Sequence, residues 1–218
     1  MWLFSVQPMP LSPALIRASV IAALAASAGS VSDRFDQIFD RALARRQSIH
    51  SIRAHFTETT TSSLLEKPLV SHGTLVAALP SQVLMTYTDP ERRTVAIDRK
   101  SLVVAWPDRQ ERVRMDISRL QKRIDQYFTQ ATIAQLRAMF DIEAEPDAVL
   151  RQTDHVDMRP KRKQIREGLE RLELWIDRER LLPVQMQMTF PDGDRKTIRL
   201  DEVVVNPPVT DETFQIRD

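Results

Sequence analysis

The sequence contains no cysteine. That excludes disulfides, thiolate nucleophiles and cysteine-ligated metals. Glycine is nearly as scarce, at four residues in 218. No glycine-rich loop can therefore cradle a phosphate, and there is no G-x-S-x-G nucleophile elbow. Neither sign of charge dominates, with 31 Lys and Arg against 30 Asp and Glu. A near-neutral chain offers no net positive field to nucleic acid. Long apolar runs are missing too: ASVIAALAASA, residues 18–28, falls short of the roughly 20 residues of a membrane span. The length fits one domain with its own core.

The 18–28 run has a different use. It follows Arg17 and ends in Ala26-Ser27-Ala28. A cation, a short apolar stretch and small residues in this order predict a secretory signal peptide over 1–28, with the mature domain at 29–218. A buried N-terminal helix is the alternative. Pro8, Pro10 and Pro13 are unusual ahead of such a cation and suggest a start further downstream. Cleavage would remove Arg17, leaving 30 basic and 30 acidic residues. No cysteine follows the cleavage site, so no N-terminal lipid anchor is expected.

Beyond the leader, Ser32 to Gln47 reads as an amphipathic helix with Phe35, Ile38, Phe39, Ala42 and Leu43 on one stripe. Ser32 would cap it, Asp33 suits its first turn, and Arg45 and Arg46 suit its last. The pattern then turns to strands. Ser51 to Thr61 places Ile52, Ala54, Phe56 and Glu58 on one side. Gly73–Ala78, Val83–Thr88, Thr94–Ile97 and Leu102–Trp106 follow at short spacing, with Asp89-Pro90 as a turn. Asp116 to Phe140 returns to helical spacing. Leu120, Ile124, Tyr127 and Phe128 form one stripe, and Ile133, Leu136 and Phe140 a second, with Thr132 as cap. Asp141–Asp147 reads as an acidic loop.

Strands resume near Ala148, broken by the basic run RPKRKQIR, Arg159–Arg166. In Leu169–Asp177, Leu172, Leu174 and Ile176 alternate with Glu173, Trp175 and Asp177. In VQMQMTF, Val184, Met186, Met188 and Phe190 alternate with Gln185, Gln187 and Thr189. Asp192-Gly193 is a hairpin turn, Lys196–Val205 its partner strand, and Thr213–Ile216 a last short strand. The class is α+β, with a curved antiparallel sheet and helices on one face or at one end. Methionine on the 184–190 face fits either a core or an adaptable cavity wall.

Chemistry-bearing patterns are sparse. His50, His55, His72 and His155 show no metal-site spacing. Asp154-His155-Val156-Asp157 gathers three possible ligands that converge poorly in a strand. Asp141, Glu143 and Glu145 would share a face if extended, but read as a solvated loop rather than a glycosidase pair. The run Arg159–Arg166 has no interleaved aromatics for stacking bases. It reads as a solvated loop, with anionic headgroups or an acidic partner as the alternative.

The ordered set of motifs resembles the periplasmic outer-membrane lipoprotein carriers, the LolA-like family. The first strand, Ser51-Ile52-Arg53-Ala54-His55-Phe56-Thr57-Glu58, is similar to the family's opening motif, with Glu58 where glutamine is usual. Gly73-Thr74-Leu75, Leu79-Pro80, Tyr87 and Asp89-Pro90 resemble its next block. Asp98, Lys100-Ser101-Leu102, Leu172-Glu173-Leu174, Ile176-Asp177, Leu182-Pro183, Asp192-Gly193-Asp194, Val203, Asn206 and Phe214 follow in family order.

The resemblance implies an incomplete β-barrel, a strongly curved antiparallel sheet closed by a lid of helices, with no catalytic residues, metal or cofactor. It implies an apolar cavity walled by Val83, Met85, Tyr87, Leu172, Leu174, Met186, Met188 and Phe190. Leu120, Ile124, Phe128, Ile133, Leu136 and Phe140 would form the underside of the lid. The cargo would be a lipidated protein or lipid, loaded by an inner-membrane exporter and unloaded to an outer-membrane receptor, with the carrier itself monomeric and periplasmic. Two departures stand out. Leu79 occupies the lid-latch position where the family has arginine, and Arg99 replaces a turn glycine. Both suggest a divergent member with a different cargo. An envelope sensor of lipidated ligands is the rival reading, and a lipid-modifying enzyme a more distant one.

Overall fold

The computed structural model describes residues 31–119, 122 and 131–216. The expected leader and the lid positions Leu120, Ile124 and Phe128 lie outside the described residues.

Helix α1 (Val31–Arg46) starts one residue ahead of the expected cap. Its apolar stripe behaves as the spacing requires: Phe35 and Ile38 are buried and Phe39 packs beside them. The chain then enters β1 (Ser51–Thr61), β2 (Leu69–Ala78), β3 (Gln82–Asp89), β4 (Arg93–Ile97), β5 (Ser101–Trp106) and β6 (Glu111–Asp116). Helix α2 (Ile133–Met139) leads into β7 (Phe140–Pro146) and β8 (Thr153–Pro160). A single turn, α3 (Lys163–Arg166), precedes β9 (Arg171–Asp177), β10 (Pro183–Thr189) and β11 (Arg195–Val205).

All eleven strands form one open antiparallel sheet, ordered β6-β5-β4-β3-β2-β1-β11-β10-β9-β8-β7. From β1 at the centre the chain steps outward to the β6 edge. It then crosses to the opposite edge and steps back to β11, which lies against β1. This is the incomplete barrel of the α+β class that the motif order implied. The central seam is clipped by Asn206, at φ 56. Its Oδ1 accepts from the His50 N–H at 2.8 Å, and its Nδ2 donates to the Ser48 carbonyl at 2.8 Å. Asparagine tolerates this left-handed backbone better than most residues, which suits it to the position.

Four elements differ from the expectation. Strand β2 begins at Leu69, ahead of Gly73. Strand β6 lies where no element was expected and overlaps the start of the supposed helix. Asp141–Asp147 is not a loop: β7 runs from Phe140 to Pro146, with Phe140, Ile142 and Ala144 buried and Asp141, Glu143 and Glu145 exposed. Phe140 is therefore a strand residue that caps α2 rather than part of its underside. The C-terminal strand is instead a 3-10 turn, Asp211–Phe214. The cap of α2 is as expected: Thr132 and Gln135 form a reciprocal capping box.

The core sits on one half of the sheet. Helices α1 and α2 pack over β7. Phe35, Ile38, Leu136 and Met139 meet Ile142, Ala144, Val156, Met158, Leu172 and Ile176, with Leu174, Met186 and Met188 partly buried against them. Among the described residues, none from β1–β6 belongs to this cluster.

Candidate functional site

Strand register carries the core-facing side of the sheet across to its other half. Alternate residues share a face, and cross-strand partners stand side by side. Val156 pairs with Leu174, Leu174 with Met186, Met186 with Ile198, and Ile198 with Glu58. Glu58, Phe56 and Ala54 of β1 thus look onto the same inner side as the core.

Two apolar rows continue from there to the β6 edge. One runs Ala54, Leu75, Met85, Val95, Val104, Val113. The other runs Ile52, Ala77, Val83, Ile97, Leu102, Met115. Twelve consecutive apolar choices on one face of six strands form a continuous wall. Val83, Met85, Val95, Ile97, Leu102 and Val104 are half-buried, while Val113 and Met115 are 46% and 47% exposed. A wall of this extent left half-open to solvent marks a binding surface more often than a plain exterior.

A buried polar cluster closes one end of the wall. The Tyr87 hydroxyl donates to Glu58 Oε2 at 2.9 Å. Lys196 Nζ and Arg93 Nη2 stand 3.3 and 3.7 Å from Glu58 Oε1. The Arg93 guanidinium lies 3.7 Å from the Tyr87 ring centroid, a cation–π contact. Phe56 meets the same ring edge-on, with centroids 4.9 Å apart. Burial first, and then the Glu58 carboxylate, push the Tyr87 hydroxyl up to about 12. Nothing in the linear sequence pattern marks Arg93 and Lys196 as site residues. Their signal was cross-strand pairing, Tyr87 with Arg93 and Thr60 with Lys196.

The sequence-predicted wall divides in two. Val83, Met85 and Tyr87 lie on the half-open side. Leu172, Leu174, Met186 and Met188 lie under α1 and α2 with the core. Phe190 follows β10 at the hairpin turn, its N–H bonded to the Asp194 carbonyl at 2.9 Å. Of the lid positions, Leu136 is buried and Ile133 packs against the core. Leu79 is 41% exposed, beyond the end of β2. Its N–H bonds the His50 carbonyl at 2.8 Å. Arg99, at the β4–β5 turn, reaches Ser81 Oγ at 3.2 Å.

The outer face of β7–β11 is polar. His155 stacks on Trp175 and approaches Glu173, while Arg159 and Arg171 hold Asp157. Asp154 points the other way, to Arg34 and Arg178. The Asp154–Asp157 segment is thus split between faces and engaged in ion pairs. Among the described residues no group of three His, Asp or Glu could hold a metal ion. No described helix is long and apolar enough to cross a membrane.

Comparison with known families decides what this architecture is. Residues 47–217 match the family described as outer membrane lipoprotein carrier protein LolA. The chain belongs to the LolA family. No curated protein matches it. Among solved structures, an uncharacterized conserved protein from Thermus thermophilus is similar at TM-score 0.55 and 12% identity, over 85% of this chain and 94% of that one. MucB, known from Pseudomonas aeruginosa, gives 0.53 and 12%, over 84% of this chain. The chain spans 63% of that MucB chain. The Mycobacterium tuberculosis lipoprotein LppX gives 0.50 and 11%, over 82% and 98%. At these identities the likeness is one of fold. The half-open apolar wall, ending in the Glu58-centred cluster, is the candidate site of this chain.

Proposed function

We propose that this protein is an extracytoplasmic carrier that shields the acyl chains of a lipoprotein or another lipid-linked cargo against the inner face of β2–β6. The observation that carries the reading is the pair of unbroken apolar rows from β1 to β6, with their middle residues only half-buried. An acyl chain laid along them gains up to about 0.8 kcal/mol for each CH₂ it buries, which offsets what it loses on leaving a bilayer in proportion to how much of it the wall covers.

The core half has a supporting part. Met186 and Met188 border the filled side, and their unbranched side chains can repack as chains of different length press against them. The polar groups at the end of the wall, Glu58, Tyr87, Arg93 and Lys196, are engaged with one another. That arrangement supports binding rather than catalysis. The leader-like 1–28 segment and the family membership support a periplasmic route between an inner-membrane exporter and an outer-membrane receptor.

Met85→Glu tests the reading. Its side chain is half-exposed, so the fold should tolerate the change, while a carboxylate in the acyl path is heavily penalised. The variant should keep its circular dichroism and lose binding of a fluorescent fatty-acid probe. Normal probe binding by a folded variant would remove Met85 from the wall. Met186→Glu discriminates less well, because it would also disturb the core.

A further inference from the structure

Among the described residues, the β1–β2 connection carries four exposed aliphatics, where the β2–β3 and β7–β8 turns carry one each, Leu79 and Val149. Residues 64–70 read Leu-Leu-Glu-Lys-Pro-Leu-Val. Leu64 is 92% exposed, and Leu65, Leu69 and Val70 are 39–45% exposed. Single exposed aliphatics are ordinary, but four within seven residues at a hairpin tip are not. Packing gives no reason for leucine at these positions, since a polar turn would close the hairpin equally well.

Its place in the fold is specific. Leu69 pairs with Thr60, and Thr60 with Lys196, in one inner-face row. The next row inward is Ser71, Glu58 and Ile198. The tip therefore overhangs the end of the wall that the Glu58 cluster closes. Charges of both signs flank it: Glu66 and Lys67 lie within the loop, and Arg195 pairs with Thr61 at its base, so the cations lead by one. Aliphatic side chains on a projecting tip, bordered by lysine and arginine, suit the headgroup boundary of an anionic bilayer. A protein receptor is the alternative occupant that the test below separates from a lipid surface.

We propose that the β1–β2 loop is a membrane-docking tip that inserts Leu64 and Leu65 into an anionic lipid surface and brings the mouth of the acyl-binding wall against it. This rests on the carrier reading for its purpose, though not for its test.

The full mature chain is mixed with protein-free vesicles of phosphatidylethanolamine and phosphatidylglycerol, and bound protein is separated by flotation. Wild type should float with the vesicles, less so at high salt. The double variant Leu64→Asp, Leu65→Asp should bind about tenfold less or weaker still, yet take up the fluorescent fatty-acid probe in solution as wild type does. Single Lys67→Glu should reduce binding to these vesicles while leaving probe uptake unchanged. Vesicle binding by the double variant equal to wild type would overturn the proposal. So would failure of wild type to bind protein-free anionic vesicles, which would point to a protein receptor instead. Wild type that binds vesicles through Leu64 and Leu65 but takes up no probe would support the docking tip and contradict the carrier reading.

Discussion

Phe56 lies directly over Gly73: a Cβ built on Gly73 would stand 2.7 Å from Cζ of the ring, and closer still to the Thr86 carbonyl oxygen. The glycine leaves room for the aromatic ring that anchors the Glu58 cluster. Sheet interiors usually disfavour glycine, so such a residue marks a close approach.

Gly73→Ala should destabilise the protein by at least about 2 kcal/mol, because the added methyl meets a backbone oxygen that cannot move without its strand. Urea unfolding should show a lower midpoint with an unchanged slope. A midpoint equal to wild type would mean that the β1–β3 packing is looser than this contact requires.

Tyr87 should make stability depend on alkaline pH. Its hydroxyl is raised from 10.0 to about 12 in the folded protein. The folded chain therefore holds the proton over a range in which the unfolded chain releases it. Stability from this group is complete below pH 10 and is lost as pH rises through about 12. Tyr87→Phe should flatten that part of the pH–stability curve relative to wild type. Parallel curves would show that the hydroxyl is ionised as easily in the folded state as in the unfolded one.

Asp154 holds α1 to the sheet. Its carboxylate lies 2.5 Å from Arg34 of α1 and 2.8 Å from Arg178 after β9. Asp154→Ala leaves both arginines facing each other. Each reaches solvent, at 37% and 40% side-chain exposure, so the loss should fall below the roughly 3–5 kcal/mol of a fully buried pair. A loss of about 2 kcal/mol is expected, together with faster amide exchange in α1. Unchanged exchange in α1 would show that its apolar stripe alone docks the helix.

The interior of the fold was legible from the sequence, and its edges were not. β1, β3, β9 and β10 announce themselves because one face of each is apolar at period two, and β5 because it is a short unbroken apolar run. The two edge strands do not. In β6, Glu111, Arg112, Arg114 and Asp116 surround only Val113 and Met115. In β7, three acidic residues alternate with Phe140, Ile142 and Ala144. Edge strands carry charge because an apolar edge would recruit another chain. In β6 that charge leaves too few apolar positions to set a period; in β7 the alternation is present, but Phe140 also fits the preceding helical stripe, which leaves the acidic remainder reading as a loop. The wall was legible through Val83, Met85 and Tyr87, which share one strand. Arg93, Val95, Ile97 and Lys196 were not, because their relation to it lies in cross-strand register. The methionines of β10 show the limit most plainly. Period two placed them on the inner side, but which half of the sheet α1 and α2 cover is decided by long-range packing.

Native mass spectrometry of the protein purified from its own cell envelope, followed by organic extraction, tests the carrier reading most directly. The expected result is a discrete co-purifying mass that yields acyl fragments and is absent from Met85→Glu. A bare protein mass, with no uptake of a fluorescent fatty-acid probe by the wild type, would contradict it and leave the β2–β6 wall without a lipid ligand.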